Sequence, residues 1–153
     1  MKKGKLKTKG QMRISFGMIF SIILIILFIT FAVYGIKKFM EVTDFTKVEK
    51  FKNDFQVDIN NMWKSTQGSQ EVEYLIPKKI SEVCFEDDEF ENMYFIPSDY
   101  GGDMLKNIDI GESVKGSKSN PKKLCIETSG GKISLIIKKD YNENLVTVGG
   151  ENV

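Results

Sequence analysis

The chain has 153 residues, which allows one domain of ordinary size, and its formal net charge at pH 7 is only +1. It contains no histidine, which removes Ser-His and Cys-His nucleophile pairs and most zinc sites. The main basic cluster, residues 1–13, lacks aromatic side chains and adjoins an apolar stretch, so nucleic acid is a poor partner. We therefore predict a protein that is not an enzyme, with no catalytic residues, no cofactor and no metal site.

Residues 1–13 form a basic tail with six lysine or arginine residues and no acid. Since the whole chain carries +1, the remaining residues carry −5. Beyond the apolar stretch, Lys37 and Lys38 are followed by a mixture of acids and lysines. An excess of basic residues marks the cytoplasmic flank of a membrane span. We predict a cytoplasmic N-terminus, in contact with the lipid bilayer, and an extracytoplasmic C-terminal domain.

The stretch 14–36 has 23 consecutive residues without a charge. As a helix it would be about 34 Å long, against about 30 Å for the hydrocarbon core of a bilayer. A buried core helix is disfavoured because a domain this small can hardly surround a helix that is apolar on every face. A cleaved secretory signal is disfavoured because the stretch is long and no small-residue cleavage site follows it. The sequence predicts one transmembrane helix that is kept.

The next stretch, 37–66, has apolar residues at helical spacing and contains neither Gly nor Pro. We predict one continuous helix from Ile14 to Lys64, with an amphipathic second half. That half would pack on one face of a sheet or against the same helix in neighbouring subunits, and the pattern does not separate the two. The apolar stripe consists of Phe39, Val42, Phe45, Val48, Phe51, Phe55, Ile59 and Met62.

Beyond Gly68 the pattern changes to period two, which is typical of β-strands. We expect a small β-rich domain at 70–153 and hence an α+β fold: a long N-terminal helix followed by a small antiparallel sheet. A hairpin is predicted around Gly130-Gly131. The stretch 97–123 is predicted to be a surface loop with one short helix near residues 103–107. The predicted strands are 71–76, 80–85, 93–96, 124–128, 132–138 and 145–148.

Two cysteines, Cys84 and Cys125, lie in strand-like runs on the outer side of the predicted membrane. Two cysteines outside the cytoplasm favour one disulfide bond, which would close a loop of about 42 residues. The alternative is a pair of buried free thiols.

Three weaker patterns are interpreted as structural. The acidic run 86–91 lacks the spacing of an EF-hand loop and is expected to be a solvated turn. The run 111–119 resembles a phosphate-binding loop, but Ser117 stands between Gly116 and its lysine. Trp63 and Phe55 would pack the helix on the sheet rather than form a ligand platform.

An apolar and then amphipathic helix that leads into a small β domain resembles the type IV pilin architecture. Lys9-Gly10-Gln11 is similar to the archaeal class III (prepilin) signal, in which a basic residue and Gly precede the cleavage point. The resemblance implies processing between Gly10 and Gln11 on the cytoplasmic face. The chain departs from the family in having no acid near the start of its apolar segment and a charge at Arg13.

These observations predict a single-pass protein of the cell membrane with a structural or interaction role. Its amphipathic helix would contact other copies of the chain or other membrane or cell-surface proteins. The first alternative is a pilin-like filament subunit, either a minor pilin or a pseudopilin. The second is a membrane-bound hydrolase with a Ser-Lys pair, for which no particular residues stand out.

Overall fold

The computed structural model describes residues 16–115 and 122–150. A long helix, α1, is followed by six short strands, which confirms the α+β class. The predicted tail 1–13 and the residues Gly10 and Gln11 lie outside the described residues. The elements after α1 (Phe16–Lys64) are β1 (Gly68–Leu75), β2 (Glu82–Glu86), β3 (Met93–Ile96), a 3₁₀ turn (Ser98–Tyr100), α2 (Ile110–Lys115), β4 (Lys123–Glu127), β5 (Lys132–Lys139) and β6 (Thr147–Gly150).

The chain divides into two compact units, Met1–Met40 and Glu41–Val153. The described part of the first unit, residues 16–40, is helical throughout and exposed at every position. Within the described residues, α1 is the one helix that is long and apolar enough to cross a membrane.

The second unit contains two three-stranded antiparallel sheets, with strand orders β1-β5-β6 and β3-β2-β4. One sheet is thus built from the three successive strands β2, β3 and β4, and the other joins β1 to β5 and β6. The glycine turn is present, and φ is +63° at Gly130 and +85° at Gly131, as a tight primed turn requires. The hairpin predicted there is nevertheless wrong, because β4 pairs with β2 whereas β5 pairs with β1 and β6.

The backbone contacts of the turn explain this difference. The amide of Thr128 donates to the carbonyl of Ser81 at 2.9 Å, which holds the end of β4 beside the chain that leads into β2. The amide of Ile76 donates to the carbonyl of Gly131 at 3.0 Å, which starts β5 beside β1. A single bridge, Ser129 to Lys132, joins the two sides of the turn before they separate.

The apolar face of α1 lies in the core of the second unit. Phe51 contacts Tyr74 of β1 and Phe95 of β3, with ring centroids 5.3 and 5.9 Å apart. Phe55 lies 5.9 Å from Phe85 of β2, so one helix face is shared by both sheets. Burial of the stripe begins at Val48, and Phe45 is 54% exposed. The apolar pattern therefore extends further along the helix than the protein core does.

The segment between β3 and β4 is more ordered than the sequence predicts. The short helix predicted near residues 103–107 is wrong: Asp103 instead forms a bridge with Met93 at the edge of β3. The helical turns lie on either side, at Ser98–Tyr100 and Ile110–Lys115. Gln56 of α1 receives a hydrogen bond at 2.8 Å from the amide of Lys106, so the helix itself fixes this segment.

The outer edge of β6 is closed by the segment around α2. The amide of Val146 donates to the carbonyl of Asn107 at 3.0 Å, and the amide of Asp109 donates to the carbonyl of Val146 at 2.7 Å. Further along, the amide of Val148 donates to the hydroxyl of Ser113 at 2.9 Å. Both backbone groups of Val146, just before β6, and the amide of Val148 are therefore bonded within the domain.

Candidate functional site

The two faces of strand β2 carry different kinds of side chain. Val83 and Phe85 point into the core and are fully buried. Because successive side chains of a strand alternate, Glu82, Cys84 and Glu86 share the opposite face. Strand β4 follows the same rule, with Leu124 and Ile126 buried in the core and Lys123, Cys125 and Glu127 on the outer face. The outer face of this sheet therefore collects the two cysteines and several charged groups.

The register of β2 and β4 brings the two cysteines together. Cys84 is the direct partner of Cys125, and their Cα atoms are 4.0 Å apart. The two Sγ atoms are 2.06 Å apart, which is disulfide distance. Cys84 is fully buried, whereas Cys125 is partly accessible. The pairing predicted from the sequence is thus present between neighbouring strands of one sheet.

The carboxylates beside the cysteines form a second cross-strand pair. Glu82 is the direct partner of Glu127, two residue pairs along the ladder from the cysteines and on the same face. A carboxylate oxygen of Glu82 lies 3.9 Å from Sγ of Cys84. Like charges that face each other across strands repel, so this pair opposes the stability of the sheet. The sequence pattern does not single out either glutamate as a site residue, although Glu-x-Cys and Cys-x-Glu at period two place each glutamate on the same strand face as its own cysteine.

The other end of this face carries a tyrosine. The hydroxyl of Tyr94, which is the partner of Cys84 on β3, donates to a carboxylate oxygen of Glu86 at 3.3 Å. Partial burial, followed by the negative charge of Glu86, raises the pKa of Tyr94 above its ordinary value. Of the two glutamates that flank Cys84, Glu86 thus accepts a hydrogen bond from Tyr94, whereas a carboxylate oxygen of Glu82 lies 3.9 Å from the sulfur of Cys84.

A shallow groove of about 460 Å³ adjoins the two glutamates. Its walls include Lys78, Glu82 and Glu127, and its far end is the Gly130-Gly131 turn. The groove is open to solvent on one side and polar. Small solutes can therefore reach the carboxylates without any rearrangement of the domain.

The remaining candidates from the sequence are not brought together into a site. The acidic residues 87–91 are exposed in the turn between β2 and β3. Gly111 of the phosphate-loop-like run lies inside α2, and residues 116–119 of that run are outside the described part. Phe55 is fully buried whereas Trp63 is 40% exposed, so the two do not form a shared platform. Trp63 instead donates its indole N–H to the carbonyl of Asn144 at 2.9 Å.

Comparison with protein-family models, with curated proteins and with solved structures found no match to this chain.

Proposed function

We propose that the chain is a single-pass membrane protein that holds its α+β domain outside the cytoplasm, in a structural or interaction role and without catalysis. The observation that carries the proposal is the exposure of α1 between residues 16 and 40. Its large apolar side chains are exposed by 37% at Leu24 up to 84% at Phe16. Soluble monomers rarely expose contiguous apolar patches of more than a few hundred Å². A bilayer is the environment in which a helix that is apolar all round is stable.

The charge distribution supports the orientation. The tail 1–13 carries six basic residues and no acid, which favours retention on the cytoplasmic side. The domain that would lie on the opposite side of the membrane contains Cys84 and Cys125 at disulfide distance. Such a pair suits an oxidising compartment. The absence of histidine from the chain supports a role other than acid–base catalysis.

Membrane extraction tests the anchor. The full-length chain is expected to sediment with membranes, to resist high salt and alkaline carbonate, and to be released by detergent. Recovery of the full-length chain as a monomer in the aqueous fraction, without detergent, would overturn the proposal. Protease protection then tests the orientation: in right-side-out vesicles the domain 70–153 is expected to be digested and the tail 1–13 protected. The reverse pattern would overturn the orientation.

A pilin-like subunit is the second candidate, favoured by the continuity of α1. The helix runs without interruption from the apolar segment into the domain, where Phe51 and Phe55 are fully buried against the sheets. The mass of the mature N-terminus separates the two candidates. An intact segment 1–10 supports the uncleaved anchor, whereas a chain that begins at Gln11 supports processing between Gly10 and Gln11 and favours the pilin-like candidate.

A further inference from the structure

Two neighbouring strands each present a glutamate and a cysteine on the same face of their sheet. Glu82 faces Glu127, and Cys84 faces Cys125, in consecutive same-face steps of the β2–β4 ladder. The four side chains thus occupy the corners of a two-by-two square, because residues two apart on a strand point to the same side. Thiolate and carboxylate oxygen are both established ligands of zinc.

The donor atoms of three of these side chains lie close together. Among the described residues, a carboxylate oxygen of Glu82 and the sulfur atoms of Cys84 and Cys125 all lie within 4.8 Å of one another. Zinc binds sulfur at about 2.3 Å in tetrahedral geometry, so its ligand atoms lie about 3.8 Å apart. In the folded protein the sulfur atoms are bonded to each other, so the bond has to be broken before they can separate to that distance.

We propose that reduction of the Cys84–Cys125 pair opens a site for a thiophilic divalent cation such as Zn²⁺, with both thiolates and the carboxylate of Glu82 as ligands. Glu127 lies beside them and adds negative charge. Water takes the fourth coordination position. The site depends on the β2–β4 ladder and not on the membrane anchor.

The chemical step is balanced by a dithiol reductant. The dithiol gives two electrons and two protons to the sulfur–sulfur bond and becomes a disulfide itself, which leaves two thiols on the protein. The cation then displaces the two thiol protons, and two metal–sulfur bonds form. The bound positive charge also offsets the repulsion between Glu82 and Glu127 across the strands. In the oxidised protein the sulfur atoms bind each other, and the site is closed.

Access and selectivity follow from the surroundings. Glu82 lines the groove and Cys125 is partly accessible, so a cation can approach these two ligands from solvent without crossing the core. Glu86, the other carboxylate two residues from Cys84, accepts a hydrogen bond from the hydroxyl of Tyr94 and is not one of the three residues whose donor atoms lie within 4.8 Å of one another. The chain has no histidine, so thiolates and carboxylates are the strongest ligands that it offers to a divalent cation. Glu86 therefore provides a matched control for Glu82.

The test uses the full-length chain in detergent micelles, without a histidine tag. The protein is reduced with a phosphine, freed of reductant without air, and titrated with Co²⁺ and then Zn²⁺. We expect one Co²⁺ per chain with an ultraviolet thiolate charge-transfer band, which Zn²⁺ displaces. Glu82→Gln should weaken binding by at least about 10-fold, whereas Glu86→Gln should change it by no more than about twofold. Cys84→Ser should lose the band, and the oxidised protein should not show it.

The outcomes that overturn the proposal are equally specific. These are no charge-transfer band after reduction, equal binding by the Glu82→Gln and Glu86→Gln variants, or equal binding by the oxidised protein. If reduction unfolds the domain, Zn²⁺ is expected to restore its far-ultraviolet circular dichroism, because metal binding and folding are coupled in such sites. Failure of Zn²⁺ to restore it would also overturn the proposal.

Discussion

The side chain of Asn92 pairs with both backbone groups of Leu105. Its amide nitrogen donates to the carbonyl at 2.9 Å, and its oxygen accepts from the amide at 2.7 Å. Both residues are buried, with exposed fractions of 8% and 4%. One side chain thus replaces a strand partner for the segment that follows β3.

Replacement of this side chain tests the arrangement. Asn92→Ala leaves a buried donor and a buried acceptor on Leu105 unpaired, so we expect a loss of about 3 kcal/mol in the free energy of unfolding. Denaturant titration of the full-length chain in micelles, followed by fluorescence of Trp63, measures it. Asn53→Ala, on an exposed position of α1, should stay within about 0.5 kcal/mol. A loss no larger than this control would show that the pairing contributes little.

The glycine turn allows a matched comparison of two neighbouring positions. Both have positive φ, so alanine at either should cost about 1 to 2 kcal/mol. At Gly130 an added Cβ meets nothing within 4 Å, whereas at Gly131 it would lie 3.1 Å from the carbonyl oxygen of Ile76 and 3.0 Å from Cγ of Lys78. The loss in the free energy of unfolding should therefore be larger for Gly131→Ala than for Gly130→Ala, by at least about 1 kcal/mol. Equal losses measured by denaturation would contradict this close approach.

The hydrogen bond between Tyr74 and Asp58 predicts a loss of stability at high pH. The Tyr74 hydroxyl donates to a carboxylate oxygen of Asp58 at 2.6 Å. Burial, and next this hydrogen bond, raise the pKa of Tyr74 far above its ordinary value of 10.0. Above about pH 10 the unfolded chain loses a proton that the folded chain keeps, so the free energy of unfolding falls, by at most about 1.4 kcal/mol per pH unit from this residue.

Variants at two tyrosines separate this contribution from the rest. Tyr74→Phe should be less stable than the natural chain at pH 8, and its stability should fall less steeply above pH 10. Tyr141→Phe, at a side chain that is 66% exposed, should match the natural chain at pH 8 within about 0.5 kcal/mol. Parallel pH profiles for Tyr74→Phe and the natural chain would contradict the prediction.

The cysteine pair predicts a redox-dependent stability. The two cysteines are 41 residues apart in sequence, and closure of such a loop stabilises the folded state by at most about 4 kcal/mol in the chain-entropy model. A dithiol, with a chelator present, should lower the free energy of unfolding of the natural chain by up to that amount. The Cys84→Ser/Cys125→Ser double variant should not respond. An equal response of both proteins would show that the bond does not contribute.

The local pattern predicted most of the elements, because periodicity is a property of neighbouring residues. Helix α1 ends at Lys64 as the apolar spacing and the following Gly68 indicated, and each of the six predicted strands overlaps an observed one. The hairpin at Gly130-Gly131 failed for a non-local reason. A turn sets the local backbone angles, but the partners of the strands that leave it are set by distant residues such as Ser81 and Ile76.

The candidate site also depends on contacts between distant parts of the chain, which local patterns do not predict. The cysteines could be paired from the sequence because there are only two of them. The glutamates were not recognised because the Glu82–Glu127 pairing depends on the register of β2 with β4, which are separated by β3 and α2 in the chain. The burial of Asn92 could not be predicted either, because its partner Leu105 lies in a segment without periodicity.

The hydrogen bonds along the edge of β6 affect how copies of this chain interact at high local concentration. Strand edges with free amides and carbonyls recruit strands of other chains, which leads to domain exchange or fibrils. Here the backbone groups of Val146 and the amide of Val148 are already bonded to Asn107, Asp109 and Ser113 of the same molecule. When many copies are crowded on one surface, these three backbone groups are therefore not available to pair with a strand of another copy.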